Sequence, residues 1–243
     1  GLTELPPLVG LQVLVVSRAL EFAYDRGRVL EQMGYRVAAC GDPRNARRFV
    51  GEVAPEAIVV DMGREMAAPA DVVTQVREGT SAPVVVVGCV GTMAELMRSV
   101  EAGADDYTKP GATTEEIDIR LRSLFRRMST IPGQWQRAVR QVLRIGDIEI
   151  DQAGQVVKKR GHTIPLSPTE FRLLVTLAEH QGEVVPSKAL IARVWGTQYA
   201  SETHYLRLYV RYLRQKLEDD PSQPKYIVNR WGTGYALEAP VRA

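Results

Sequence analysis

The sequence predicts two domains. The first is an α/β domain on a five-stranded, doubly wound parallel sheet; the second is smaller, with an antiparallel entry sheet and helices, and closes on a basic helix and a hairpin. Three observations carry this. Over residues 11–128, short β-branched runs alternate five times with amphipathic stretches, and strands buried on both faces need helices above and below. The breaker Pro132-Gly133 then marks a linker over 129–141, after which the pattern changes. Charge divides the same way: residues 1–119 hold 11 Lys/Arg against 18 Asp/Glu, residues 120–140 hold six Arg and no acid, and residues 141–243 hold 14 against 11. An acidic half joined through a basic segment to a basic half implies that only the second touches a polyanion.

After a tail over 1–10, LQVLVVS (11–17) reads as a buried strand and ALEFAYDRGRVLEQMG (19–34) as a helix stopped by Gly34. YRVAAC (35–40) is a strand, and DPRNARRFVGEV (42–53) a helix with Asp42 as cap and Pro43 in its first turn. EAIVVD (56–61), a helix to about Glu78, PVVVVG (83–88), the helix TMAELMRSVEAG (92–103), a short strand at 106–108 and the helix 113–128 complete the alternation. In such sheets function sits at the carboxyl ends of the strands.

Residues 142–166 alternate with period two across turns at Gly146, Ala153-Gly154 and Gly161, predicting a small antiparallel sheet. SPTEFRLLVTLAEHQG (167–182) follows, with Ser167 as N-cap, Pro168 at the first helical position, Glu170 closing a capping box, and Phe171, Leu174, Val175 and Ala178 inward. SKALIARVWG (187–196) predicts a short helix with its own serine cap, and Trp195 reads as core. In SETHYLRLYVRYLRQKLE (201–218), Leu206, Val210, Leu213 and Leu217 share one stripe at helical spacing. His204, Arg207, Leu208, Arg211, Tyr212 and Gln215 take the opposite side, with Arg214 on the flank and acids only at the ends. Such side chains suit base edges and phosphates; a merely basic, solvated helix has the same pattern. PKYIVNRWGTGYAL (224–237) reads as two strands around a Gly-rich tip, and with the basic helix it fits a winged helix-turn-helix, the helix in the major groove and the wing over the minor groove or backbone.

No apolar run reaches the length of a membrane span, and GLTELPPLVG at the start lacks the features of a secretory signal, so a cytoplasmic protein is the expectation. Cys40 and Cys89, without a CxxC, and three histidines argue against a disulfide framework or a zinc site; no metal, no cofactor and no catalytic residue are expected. The two cysteines end strands and read as packing, with a redox sensor as the other reading.

PEAIVVDM (55–62) and GADDYTKP (103–110) resemble the third and fifth strands of bacterial response-regulator receiver domains, over roughly residues 11–128. The resemblance implies a phospho-acceptor at Asp61 and a phosphoryl-binding lysine at Lys109. It also implies an acidic, Mg²⁺-holding pair where this chain has Ser17-Arg18, and a switch hydroxyl where it has Gly88; the segment between Tyr107 and Lys109 is one residue short. Phosphoryl transfer to a carboxylate needs a bridging cation, so the expectation is a degenerate, phosphorylation-independent receiver. Either Arg18 and Lys109 fill the metal's place and pair with Asp61, or Arg18 points to solvent. A histidine-kinase partner is then doubtful, and a phosphorylation-dependent regulator using Asp61 is the alternative. The resemblance further implies a homodimer face with paired charges, here Arg98, Glu101, Asp105, Asp106, Arg120 and Arg122, although ordinary surface charge would look the same.

Residues 142–238 resemble the effector domain of OmpR/PhoB-type regulators in the entry sheet, LSPTEFRLL, VWG, the basic helix and the wing ending in GTGY. That implies sequence-specific binding of double-stranded DNA for transcription regulation. His204, Arg207, Leu208, Arg211 and Tyr212 would face bases or nearby phosphates, Leu208 meeting a thymine methyl, and Arg214 the backbone. Arg230, Trp231 and Thr233 would form the wing tip; Trp231 supplies no charge, for which Arg230 compensates. The family's RNA polymerase contact maps to the loop 195–201, and linker residues Arg126, Arg127, Arg137 and Arg140 either meet phosphates or stay solvated.

Overall fold

Uninterrupted runs of valine build the centre of the first unit. In the computed structural model, which describes residues 10–63, 69–88, 93–109, 111–129, 142–197 and 203–240, the chain divides into Gly1–Arg126 and Arg127–Ala243. The first unit is a parallel sheet in the order β2-β1-β3-β4-β5, made by β1 (Gln12–Ser17), β2 (Arg36–Cys40), β3 (Ala57–Asp61), β4 (Val84–Val87) and β5 (Asp106–Thr108). Because side chains alternate across a strand, Val13, Val15, Val59, Val85 and Val87 form one face with Ala23 and Leu30 of α1 (Leu20–Gln32) and Ile117 and Leu121 of α5 (Thr114–Ser129). Leu14, Val16, Ile58, Val60, Val84 and Val86 form the other with Val50 of α2 (Ala46–Val53) and Val72, Val73 and Val76 of α3 (Pro69–Arg77). α4 (Met93–Glu101) packs beside α3. Asp42 does cap its turn, accepting from the Arg44 amide, but Pro43–Asn45 is a 3₁₀ turn and the α-helix starts only at Ala46. In-register pairing brings Ser17 beside Asp61, Asp61 beside Val87 and Val87 beside Thr108, so the carboxyl ends converge.

The second unit opens with the antiparallel sheet β6 (Val142–Ile145), β7 (Ile148–Asp151), β8 (Val156–Lys159) and β9 (His162–Ile164), in sequence order. α6 (Pro168–Ala178) starts at the predicted capping box, the Ser167 amide donating to Glu170 Oε2 at 2.8 Å, and is buried almost all round. A two-residue strand that sequence reasoning missed, β10 (Val185–Pro186), leads into α7 (Ser187–Val194). Ser187 is therefore not a side-chain cap: Pro186 is the N-cap, and the Ser187 amide donates to the Thr233 carbonyl at 3.0 Å. α8 (Thr203–Leu217) follows, then β11 (Ile227–Arg230) and β12 (Gly234–Leu237), which pair with β10 in the order β10-β12-β11. Only glycine fits at 234, since a Cβ there would lie 2.0 Å from the Val185 carbonyl oxygen. No helix among the described residues is long and apolar enough to cross a membrane.

Candidate functional site

In the second unit, the stripe Leu206, Val210, Leu213 and Leu217 is buried as its spacing requires. The helix is covered more widely than one stripe, however. The indole of Trp195, fully buried, packs on the rings of Tyr205 and Tyr209 with centroids at 6.2 and 5.1 Å. On another side the guanidinium of Arg214 donates from Nε and Nη2 to the Ile227 carbonyl at 3.0 and 2.7 Å and lies over the Tyr235 ring. Below it, the Glu218 carboxylate accepts from the amides of Lys225, Tyr226 and Ile227 at 2.8–2.9 Å, fastening the end of α8 to β11.

Three expectations are corrected by this packing. Leu208 and Tyr212 are 7% and 3% exposed and belong to the interior, because apolar and aromatic positions on α8 are buried on more than one side. Arg214 braces helix to wing with two of its nitrogens instead of pointing away from the unit. What remains open is Thr203, Arg207, Arg211 and Gln215, spaced four apart so that they form one exposed row. Among the described residues Arg207 and Arg211 have no ion pair or hydrogen bond. His204 is half-buried, its ring 4.8 Å from that of Tyr205.

Arg207, Arg211, Arg214 and Gln215 border a hollow of about 450 Å³ with Pro221, Ser222 and Tyr235. The wing tip stands beyond: the Thr233 amide donates to the Arg230 carbonyl at 3.0 Å across a turn whose Gly232 has φ +76°. Arg230 is ion-paired with Glu238, so its charge is answered within the hairpin; Trp231 is 90% exposed, and Thr233 is exposed as well. The row on α8 thus presents two cations and hydrogen-bonding groups, and the tip one exposed aromatic ring.

In the first unit, Asp61 ends β3 at the floor of a pocket of about 780 Å³, lined among others by Ser17, Arg18, Phe22, Asp25, Arg26, Gly63 and Thr114. The cation that reaches it is Arg26, which sequence reasoning missed. Its Nη2 and Nε donate to Asp61 Oδ2 at 2.5 and 3.0 Å, and its Nη1 to the Ala112 carbonyl and Thr114 Oγ1 at 3.0 and 3.2 Å. Asp61 Oδ1 accepts from the Gly63 amide at 3.1 Å. The expected pairing of Arg18 and Lys109 with Asp61 is thus not formed: both side chains, just beyond the ends of β1 and β5, are exposed, while Arg26 reaches in from the second turn of α1. Ser17 is buried beside Asp61. Gly88 has φ +89°, and a Cβ on it would lie 2.6 Å from the Gly63 carbonyl oxygen, so the place of the switch hydroxyl is closed by backbone. One oxygen of Asp61 thus holds a guanidinium where a divalent ion would need it, no second carboxylate ends β1, and the other carboxylate lining this pocket is that of Asp25 on α1.

The charges expected on one dimer face divide. Asp105 is fully buried and pairs with Arg77 of α3 while accepting from the Val84 amide at 2.9 Å, so it lies away from that face. Asp106 pairs with Arg120 at 3.0 Å inside the unit, and Arg122 pairs with Asp118 at 2.8 Å, where Asp118 also accepts from the Tyr35 hydroxyl at 2.6 Å. Burial, then this bond to Asp118, raises the Tyr35 pKa well above the ordinary tyrosine range. Arg98 and Glu101 are exposed. Cys40 is a buried free thiol whose pKa burial raises, and it donates to the Asp42 carbonyl. Cys89, most of the 129–141 linker with Arg137 and Arg140, the side chain of Arg127 and much of the 195–201 loop lie outside the described residues.

A family model described as "Transcriptional regulatory protein, C terminal" matches residues 161–237. Transcriptional regulatory protein KdpE of Mycobacterium tuberculosis is 36% identical over 206 residues, covering 85% of this chain and 89% of its own. A solved structure of a RitR mutant shares the fold, with a TM-score of 0.75 at 22% identity over 94% of this chain and 99% of that one. With a receiver-like sheet, a winged helix and that degree of identity to KdpE, the chain belongs to the OmpR/PhoB-type response regulators, which are DNA-binding transcription regulators.

Proposed function

We propose that the chain reads specific duplex sequences with the row Thr203, Arg207, Arg211 and Gln215 in the major groove and the wing tip Arg230–Thr233 beside it. The observation that carries this is the state of Arg207 and Arg211, two cations without a partner among the described residues on the uncovered side of α8. Bidentate hydrogen bonding to guanine is what an arginine so placed does well. Affinity selection of random duplexes at a stated salt concentration is the test. An enriched motif whose binding weakens with Arg211→Ala is the expected result; equal weakening on all sequences would make Arg211 a phosphate contact only.

The receiver-like unit, in the same proposal, works without phosphorylation and serves homodimerisation in the cytoplasm. What supports it is Arg26, whose guanidinium supplies Asp61 with the permanent counter-charge that a phosphoryl-transfer site needs from a metal. Incubation with acetyl phosphate and Mg²⁺ should leave the mass unchanged. A stoichiometric, base-labile gain on Asp61 would instead establish a phosphorylation-dependent regulator fed by a kinase. Sizing by sedimentation across protein concentrations tests the dimer, for which Arg98 and Glu101 offer the exposed complementary charges.

A further inference from the structure

We infer that Trp231 is an uncharged wedge that the wing inserts into the DNA minor groove, where it selects A·T pairs and loosens one base step. This rests on the DNA-binding reading and deepens it. Trp195, the other described tryptophan, is fully buried, whereas Trp231 is 90% exposed. An indole left in water is unusual, since it carries a large apolar surface that folding normally covers.

Nor is it loosely held. Arg230 pairs with Gly234 across the hairpin, the Thr233 amide closes the tip on the Arg230 carbonyl, and the Thr233 carbonyl accepts from the Ser187 amide at the start of α7. On the same side, the close approach of Gly234 to Val185 fixes the last residue pair before the tip. The ring is therefore presented by backbone that is already positioned. Through the Glu218 clasp and the Arg214 brace, the same hairpin is fastened to α8. A duplex seated on the row Arg207–Arg211 consequently meets this tip as well.

The tip's chemistry selects the mode of contact. Arg230 is engaged by Glu238, so the tip brings shape and stacking in place of charge. A minor groove about 6 Å wide admits a flat ring edge-on, and the guanine amine on its floor obstructs such a ring where adenine leaves it free. Apolar wedges at such positions partly unstack a base step.

The test uses the full chain, its Trp231→Ala and Trp231→Arg variants, and the duplex that the unmodified chain enriches from a random pool. The base pairs under the wing are changed from A·T to G·C and to I·C, which lacks the guanine amine. On the A·T duplex, Trp231→Ala should weaken binding about tenfold or more, with the salt slope unchanged because no counterion-releasing charge is lost. Trp231→Arg should raise that slope by about one unit. The unmodified chain should treat I·C like A·T and discriminate against G·C, and Trp231→Ala should not discriminate. Because the side chain lies outside the core, thermal unfolding should be the same for all three proteins. Equal affinity of the unmodified chain and Trp231→Ala would overturn the wedge, as would equal affinity of the unmodified chain for G·C and I·C. Enrichment of no duplex at all would overturn the DNA reading beneath it.

Discussion

Arginines around the receiver-like sheet and arginines on the exposed side of α8 are used in opposite ways. In the first unit Arg26, Arg77, Arg120 and Arg122 are each bound to a carboxylate of the same unit, on Asp61, Asp105, Asp106 and Asp118. On α8, Arg207 and Arg211 are without a partner among the described residues, while Arg214 is spent on the wing. Cations of the second unit away from this row are paired as well, Arg144 with Glu149, Arg160 with Asp147 and Asp219, and Arg230 with Glu238, so the open charge is a property of one side of α8 and not of the whole basic half. A net balance of charge says which half can meet a polyanion; only the pairing says which residues do.

Four substitutions test that contrast. Arg77→Ala should have the largest effect, destabilising the first unit by about 3–5 kcal/mol, because it strands Asp105, which is fully buried, without its cation. Urea unfolding would show it, and an unchanged midpoint would mean that the pairing is incidental. Arg211→Ala should do the reverse: a loss of about 1–3 kcal/mol in DNA affinity, with folding stability unchanged to within about 0.5 kcal/mol. Removing the Tyr35 hydroxyl, as in Tyr35→Phe, should cost about 1–2 kcal/mol at neutral pH through the lost bond to Asp118. It should also change the response to alkali. The folded state holds this proton after the unfolded chain has released it, so the contribution is complete below pH 10.0, the ordinary tyrosine value, and is lost as pH rises toward the raised folded value. Unfolding curves between about pH 9 and 11 should therefore fall more steeply for the unmodified chain than for Tyr35→Phe. Smallest is Arg207→Ala, expected to lower the slope of binding against salt by about one unit if its contact is a phosphate; a steeper slope would contradict the open-charge role.

Periodicity made the central elements legible. The valine runs announced a sheet covered on both sides, and Ser167, Pro168 and Glu170 marked the start of α6 to the residue, because caps and alternation are local properties of the chain. The failures at the candidate sites are tertiary. Arg26 lies 35 residues before Asp61 and on a helix, so no strand-end motif points to it. Asp105 and Asp106 are neighbours in sequence, yet alternation sends them to different arginines on α3 and α5. Leu208 and Tyr212 read as outward because a single stripe accounts for one buried side, whereas α8 is covered on several. The strand β10 was missed because two residues carry no period, and its pairing with β12 depends on a glycine at 234.

The closeness of the two loop glycines limits what either position can become. With its backbone at φ +89° and the Gly63 carbonyl 2.6 Å from where a Cβ would stand, position 88 rejects every residue that carries a hydroxyl. Placing a serine or threonine there requires that the neighbouring turn be remodelled as well. A side chain at 88 and the present course of the backbone at 63 therefore exclude one another, and the two positions can change only together.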